Sequence, residues 1–153
     1  MHALELKVPP VAVVLVTAGC MWLVAWAVPA LEFRFPARDL VALSLAVAGA
    51  VTSALGVISF RRAGTTVNPM KPESSSSLVT SGIYELTRNP MYLGFLLVLL
   101  GWAVFLSCLP AFLFLPAFIV YMNHFQIEPE ERALAALFGP AFAAYKARTR
   151  RWL

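Results

Sequence analysis

Long uninterrupted apolar runs make up most of this chain, and they limit the folds that it can adopt. Runs begin near Pro10, Leu40 and Met91, and the third extends to about Tyr121. An α-helix needs about 20 predominantly apolar residues to cross a bilayer. The chain has 153 residues, of which 60% are hydrophobic and only 13% charged, so it has too few polar side chains to cover a water-soluble surface. The sequence therefore predicts one all-α domain, an integral membrane helical bundle.

The apolar runs divide into about four predicted transmembrane helices. These spans are residues 10–31, 40–60, 91–108 and 110–124. The third run is too long for one span, and Pro110 would break a helix because its ring removes a backbone donor; one long kinked helix is the alternative. Residues 61–89 form a polar loop, and residues 127–151 form C-terminal amphipathic helices interrupted at Gly139-Pro140.

Basic residues lie mostly on one side of this topology. With four spans, both chain ends and the polar loop share a side. Ten of the twelve Lys and Arg residues fall there, because only Arg34 and Arg38 lie in the connection on the other side. Positive residues in short loops stay on the cytoplasmic side. We therefore expect a multi-pass protein of a bacterial inner membrane, with the loop and the C-terminal helices facing the cytoplasm.

Two other classes of function find no support in the sequence. The basic residues do not form a stripe interleaved with aromatic residues, so no nucleic-acid partner is predicted. Cys20 and Cys108 lie inside apolar runs and are expected to be small buried side chains. Neither a disulfide framework nor a metal site is predicted.

Polar residues concentrate where the loop enters the third apolar run. Pro90 suits the first turn of a helix, whose free N–H groups could bind an anion or a ligand. Arg88 could bind a carboxylate through two parallel hydrogen bonds, and Tyr84, Asn89 and Tyr92 lie close to it in sequence. The alternative is that these are ordinary interfacial residues, which are common at membrane borders.

Three carboxylates, Glu128, Glu130 and Glu131, fall within four residues at the start of the C-terminal helices. Glu130, Leu134 and Leu137 share one helical face, since they are four and three residues apart. A carboxylate at the head of an apolar stripe could hold a cationic ligand. The alternative is that these residues only compensate the positive end of the helix dipole.

Two sequence blocks form a recognisable pattern. The first is Leu78-Val79-Thr80-Ser81-Gly82-Ile83-Tyr84 followed by Arg88-Asn89-Pro90-Met91-Tyr92-Leu93-Gly94, and the second is Glu130-Glu131, Leu134, Phe138-Gly139, Tyr145 and Arg150-Arg151-Trp152. Together they resemble the isoprenylcysteine carboxyl methyltransferase family, which is related to the phospholipid methyltransferases. The blocks occur in the family's order, separated by a helical hairpin. The resemblance covers roughly Thr65 to Leu153.

The resemblance implies S-adenosylmethionine as the cofactor, bound at the cytoplasmic face under the loop and the C-terminal helices. Carried over by position, the cofactor-binding residues would be Asn68, Ser77, Leu78, Val79, Tyr84, Asn89, Pro90, Met91, Tyr92 and Glu130. The candidate catalytic residues are Arg88, Glu130 and Glu131. Gln126 is the candidate substrate-facing residue.

The implied function is methyl transfer to a lipophilic small molecule or a lipid, with membrane lipids as the surroundings. Two departures bear on the acceptor. The family often has Arg-His-Pro where this chain has Arg88-Asn89-Pro90, and its prenylcysteine enzymes have an arginine near the position of Gln126. A neutral Gln is a poorer partner for a substrate carboxylate. Methylation of a phospholipid amine or a thiol on the same scaffold therefore stays open, as does a non-catalytic membrane scaffold.

Overall fold

The computed structural model describes residues 5–29, 33, 36–65, 70 and 72–153. Its helices are α1 (Pro10–Ala27), α2 (Arg38–Arg62), α3 (Pro90–Leu106), α4 (Phe114–Met122) and α5 (Glu128–Arg148). Short helical turns connect them, and the described residues contain no strand. The prediction of an all-α fold is confirmed.

Three helical segments are long and apolar enough to cross a membrane. They are α1, α2 and a continuous segment of 40 residues, Leu109–Arg148, that contains α4 and α5. The helix α3 is equally apolar but has only 17 residues. Large apolar side chains cover the outside of the bundle, and Leu15 of α1 and Leu43 of α2 are 67% and 62% exposed. A surface of this kind matches lipid, so the protein is an integral membrane protein.

The helices α2 and α3 pack closely because glycine lies at their crossing points. A Cβ atom on Gly94 would overlap the Gly49 carbonyl and the Ser53 side chain, and one on Gly101 would lie 2.7 Å from the Ala42 carbonyl oxygen. The Ser53 hydroxyl donates a hydrogen bond of 3.1 Å to the carbonyl of Met91. Small residues let helices approach in lipid, where close packing replaces the hydrophobic effect as the main attraction.

The other face of α3 packs against α1 and α4. The fully buried side chains here include Met21 of α1, Leu99 of α3, and Phe118 and Met122 of α4. The third apolar run divides beyond Leu106, the last residue of α3, where Ser107 adopts a left-handed conformation with φ of 51°. A short 3-10 turn, Leu109–Leu113, then leads into α4.

The sequence led us to expect a separation between the fourth span and the C-terminal helices, but the structure joins them. A π-helical segment, Asn123–Ile127, connects α4 to α5 without a break. Pro129 has no N–H, so the Phe125 carbonyl lacks its usual in-helix donor. The amide of Leu6 donates to that carbonyl instead, at 3.0 Å. An expected interruption does occur further on, because Gly139 has φ of 46° and kinks α5.

Candidate functional site

The serine-rich part of the loop folds back on the end of α2. The amide of Ser76 donates to the Thr65 hydroxyl at 3.0 Å, and the Ser77 hydroxyl donates to the Ala63 carbonyl at 3.2 Å. A 3-10 turn, Gly82–Glu85, follows and buries Tyr84. These contacts hold the loop against the C-terminal end of α2.

A cavity lies between the loop, the start of α3 and α5. Its volume is about 50 Å³, and it is partly open to solvent. Its lining residues are Phe60, Ser75, Ser77, Leu78, Val79, Tyr84, Arg88, Asn89, Met91, Tyr92, Ile127, Glu130, Glu131, Leu134, Phe142 and Tyr145.

One side of the cavity is aromatic. The rings of Phe60 and Tyr84 meet edge to face with their centroids 5.4 Å apart, and Phe142 packs in the same cluster. The hydroxyl of Tyr145 donates to the Tyr84 carbonyl at 2.7 Å. Burial raises the pKa of Tyr84 well above its ordinary value, and the charge of Glu130 adds to the effect. Tyr84 therefore stays neutral and offers a flat face and a hydroxyl.

The other side of the cavity presents a carboxylate held by a tyrosine. The Tyr92 hydroxyl donates to Glu130 Oε2 at 3.1 Å. Gln126 is only 3% exposed and its side chain hydrogen-bonds to the same Tyr92. Gln126 therefore does not line the cavity but contacts Tyr92, which does. Glu130 also lines the cavity and accepts the hydrogen bond of Tyr92.

A second carboxylate, Glu131, is at the centre of an ion-pair cluster. Its oxygens lie 2.8 Å from Arg88 Nη2, 3.0 Å from Arg151 Nη2 and 3.1 Å from Lys146 Nζ. The side chains of Glu131 and Arg88 are only 11% and 10% exposed. Hydrogen bonding to Glu131 raises the pKa of Arg151, which keeps that guanidinium charged. The cluster fixes the start of α3 to α5.

Residues Thr149–Trp152, which follow α5, form a segment that we call the C-terminal strap. The carbonyl of Arg150 accepts a hydrogen bond from the Arg88 amide at 2.9 Å. The carbonyl of Arg151 accepts one from the Asn89 side chain at 2.8 Å, and Arg88 Nη1 donates to the carbonyl of Thr149. The strap therefore holds the residues that begin α3 through its backbone.

Most of the predicted site residues come together around the cavity. Those that line it are Ser77, Leu78, Val79, Tyr84, Arg88, Asn89, Met91, Tyr92, Glu130 and Glu131. Pro90 is buried at the first turn of α3, behind the wall. Asn68 lies outside the described residues.

Several residues that build the cavity were not predicted. Phe60 and Phe142 contribute to its apolar wall, and apolar residues in apolar helices give no signal of their own. Leu134, Tyr145 and Arg151 were not named as site residues but belong to the second motif block, so their presence there was the available signal. Among the described residues, no group of three His, Cys, Asp or Glu side chains is placed to hold a metal ion.

Comparison with known proteins identifies the family. The family model of the phospholipid methyltransferases matches residues 37–141, which is most of the chain. The chain belongs to the phospholipid methyltransferase family. The matched region includes α2, α3 and α4, the loop and the carboxylates of α5, so it covers most of the elements that build the cavity.

Two relatives of this chain extend the comparison. An uncharacterized protein of Haemophilus influenzae is 44% identical over 63 residues, which are 41% of this chain and all of the relative. Protein-S-isoprenylcysteine O-methyltransferase B of Arabidopsis thaliana is 30% identical over 107 residues, 69% of this chain. That match spans about half, 54%, of the plant protein. The resemblance to isoprenylcysteine methyltransferases is thus confirmed. No solved structure matches significantly.

Proposed function

We propose that this protein transfers a methyl group from S-adenosylmethionine to a lipophilic acceptor at the cytoplasmic surface of the membrane. The cavity is the observation that supports this most directly, because an aromatic wall faces the Tyr92–Glu130 pair. A ligand with a flat ring at one end and a positive charge near the other suits both walls. The family match and the name of the plant relative support methyl transfer.

The residues of the cavity fit this cofactor by their chemistry. Arg88 Nε is buried and has no hydrogen-bond partner among the described residues, so it is a donor suited to a carboxylate. Glu130 can accept from an ammonium, and the rings of Phe60 and Tyr84 can cover an adenine. When bound, S-adenosylmethionine supplies an electrophilic methyl group on a positively charged sulfur.

The chain contributes mainly position and exclusion of water. Methyl transfer is an in-line displacement, so alignment of the reacting groups in a dry site is the main requirement. Glu130 lies where it can hold a cation or take a proton from an acceptor amine. We assign Arg88 and Glu131 a positioning role, because each is engaged with the other and with the C-terminal segment.

The charges around the cavity favour an acceptor that is neutral or has an amine. Two carboxylates, Glu130 and Glu131, line it, and Arg88 is the sole cation among the described lining residues. Arg88 is already paired with Glu131 at 2.8 Å. The lining therefore has a net negative charge, which disfavours a carboxylate acceptor and favours an amine. This favours a phospholipid amine over a prenylcysteine.

The cofactor proposal is tested by ligand-induced stabilisation of the purified protein. S-adenosylmethionine and its demethylated product are expected to raise the free energy of unfolding by about 2.7 kcal/mol at 100 times the Kd. Glu130→Ala is expected to lose most of that gain, because the cavity then lacks the carboxylate proposed to bind the cofactor's ammonium group. Glu128→Ala is the matched control, since Glu128 is on the same helix but outside the cavity.

If neither S-adenosylmethionine nor its demethylated product stabilises the wild-type protein, the cofactor is excluded. The alternative that remains is a non-catalytic membrane scaffold. Equal stabilisation of Glu130→Ala and wild type would show that the site lies elsewhere.

The acceptor proposal is tested by initial rates of methyl transfer in lipid nanodiscs. An amine-headgroup phospholipid is expected to be methylated about 10–100-fold faster than a prenylcysteine, because the latter lacks a charge-assisted hydrogen bond of roughly 1.5–3 kcal/mol. Gln126→Arg should narrow the difference by placing a guanidinium beside Tyr92. Faster turnover of prenylcysteine by the wild type would overturn this preference.

A further inference from the structure

Exposed arginines without a carboxylate partner surround the ends of α2 and α5. They are Arg61, Arg62, Arg148 and Arg150, and none of them forms an ion pair with a described residue. The carboxylates of Glu128 and Glu131, by contrast, are paired with cations. Glu85 is an exposed acidic residue of the same region, so the excess charge stays positive.

The C-terminal strap lies where two membrane helices end. Its Arg150 carbonyl binds the amide of Arg88, two residues before α3 begins. The Trp152 indole donates to Asn123, immediately after α4, at 3.1 Å. The strap is therefore at the depth at which the chain enters the bilayer, which is the headgroup region.

Two leucines beside the strap support this depth. Leu86 is 72% exposed and Leu153 is 73% exposed. Leu86 lies two residues before Arg88, and Leu153 follows the strap directly. Exposed apolar side chains near exposed arginines suit the boundary between acyl chains and headgroups.

We propose that Arg150 of the strap, together with Arg148 at the end of α5, binds anionic phospholipid headgroups, and that this binding tightens the methyl-donor cavity. The coupling follows because the side chain and the backbone carbonyl of Arg150 make different contacts. The Arg150 side chain is exposed, while its carbonyl holds the Arg88 amide at the cavity wall. Headgroups that order the side chain also order the backbone that fixes Arg88.

The size of the effect is set by the surface charge of the membrane. A Lys or Arg near an anionic surface contributes about 1 kcal/mol, which is about a fivefold change in an equilibrium constant for each arginine. By reciprocity, cofactor that favours the ordered strap also favours bound anionic lipid. The cofactor readout rests on the proposed function, but lipid binding by the strap does not.

The test compares nanodiscs of phosphatidylcholine alone with nanodiscs that also contain phosphatidylglycerol. Two quantities are measured: retention of phosphatidylglycerol by the protein in native mass spectrometry, and the Kd for S-adenosylhomocysteine. Phosphatidylglycerol is expected to lower the Kd about fivefold for the wild type and to have little effect for Arg150→Gln. Arg150→Lys keeps the charge and should keep the response.

Arg38→Gln is the matched control, because Arg38 is at the other end of α2 and pairs with Asp39 at 3.0 Å. It should respond to phosphatidylglycerol like the wild type. Equal lipid retention by wild type and Arg150→Gln would overturn the proposed lipid site. Lipid retention that leaves the Kd unchanged would overturn the coupling. Absence of S-adenosylhomocysteine binding in every nanodisc would count against the proposed function, while the retention measurement would still decide the lipid site.

Discussion

Replacing Glu131 by alanine is expected to lower the free energy of unfolding by about 3–5 kcal/mol, because it leaves buried cationic groups without their partner. Glu131 is the shared partner of Arg88, Lys146 and Arg151, and the Arg88 side chain is only 10% exposed. Without Glu131, the start of α3 loses its ion pairs to α5 and keeps the contacts of the strap and the Tyr92–Glu130 hydrogen bond. Denaturant titration of the purified protein in micelles measures the change.

The variant Glu128→Ala provides a matched control for this prediction. Glu128 is three residues away on the same helix, its side chain is 39% exposed, and its contact with Arg151 is longer, at 3.5 Å. Removing such a partly solvated pair is expected to cost less than about 1 kcal/mol. Similar losses for both variants would mean that the buried cluster contributes no more than a surface ion pair.

Replacing Gly94 by alanine is expected to lower the free energy of unfolding by about 3 kcal/mol, at the upper end for an overpacked site. The added methyl group would meet the Gly49 carbonyl and the Ser53 backbone, and backbone atoms cannot rotate away as a side chain can. The helices α2 and α3 must then separate, which also disturbs the Ser53–Met91 hydrogen bond. The same denaturant titration measures the loss.

The matched substitution is Gly19→Ala in α1. A Cβ atom on Gly19 would have no neighbour within 4 Å, so alanine should stabilise the helix by up to about 1 kcal/mol through its higher helix propensity. The two glycine variants are thus expected to shift stability in opposite directions. An unchanged free energy of unfolding for Gly94→Ala would show that α2 and α3 pack less closely in the membrane than the structure indicates.

Local patterns in the sequence were sufficient to predict the helical architecture. Apolar runs predict helices in lipid, because every backbone group must be hydrogen-bonded there, and Pro110 marks the place where the third run divides. The join between α4 and α5 could not be read locally. Pro129 resembles the start of a new helix, and the distant Leu6 amide donates to the Phe125 carbonyl, the group that the proline leaves without its usual donor.

The site was predictable where polar residues carry a motif, and not where apolar residues build a wall. Tyr92 and Glu130 stand out from their neighbours and meet in the structure. Phe60 and Phe142 resemble any lipid-facing residue of α2 or α5, so nothing in the sequence marks them as cavity residues. The strap was equally hidden, since its contacts with Arg88 and Asn89 use backbone carbonyls, which have no sequence signature.

The π-helical segment Asn123–Ile127 sets the rotational phase between α4 and α5. A π-bulge inserts one residue into an α-helix and rotates everything beyond it by about 100°. Without that residue, Glu130 would turn away from Tyr92 while α4 kept its apolar side against α1 and α3. The insertion therefore lets the two halves of one continuous helix meet different packing requirements. The apolar side of α4 can face α1 and α3, while the carboxylates of α5 face the cavity independently of α4.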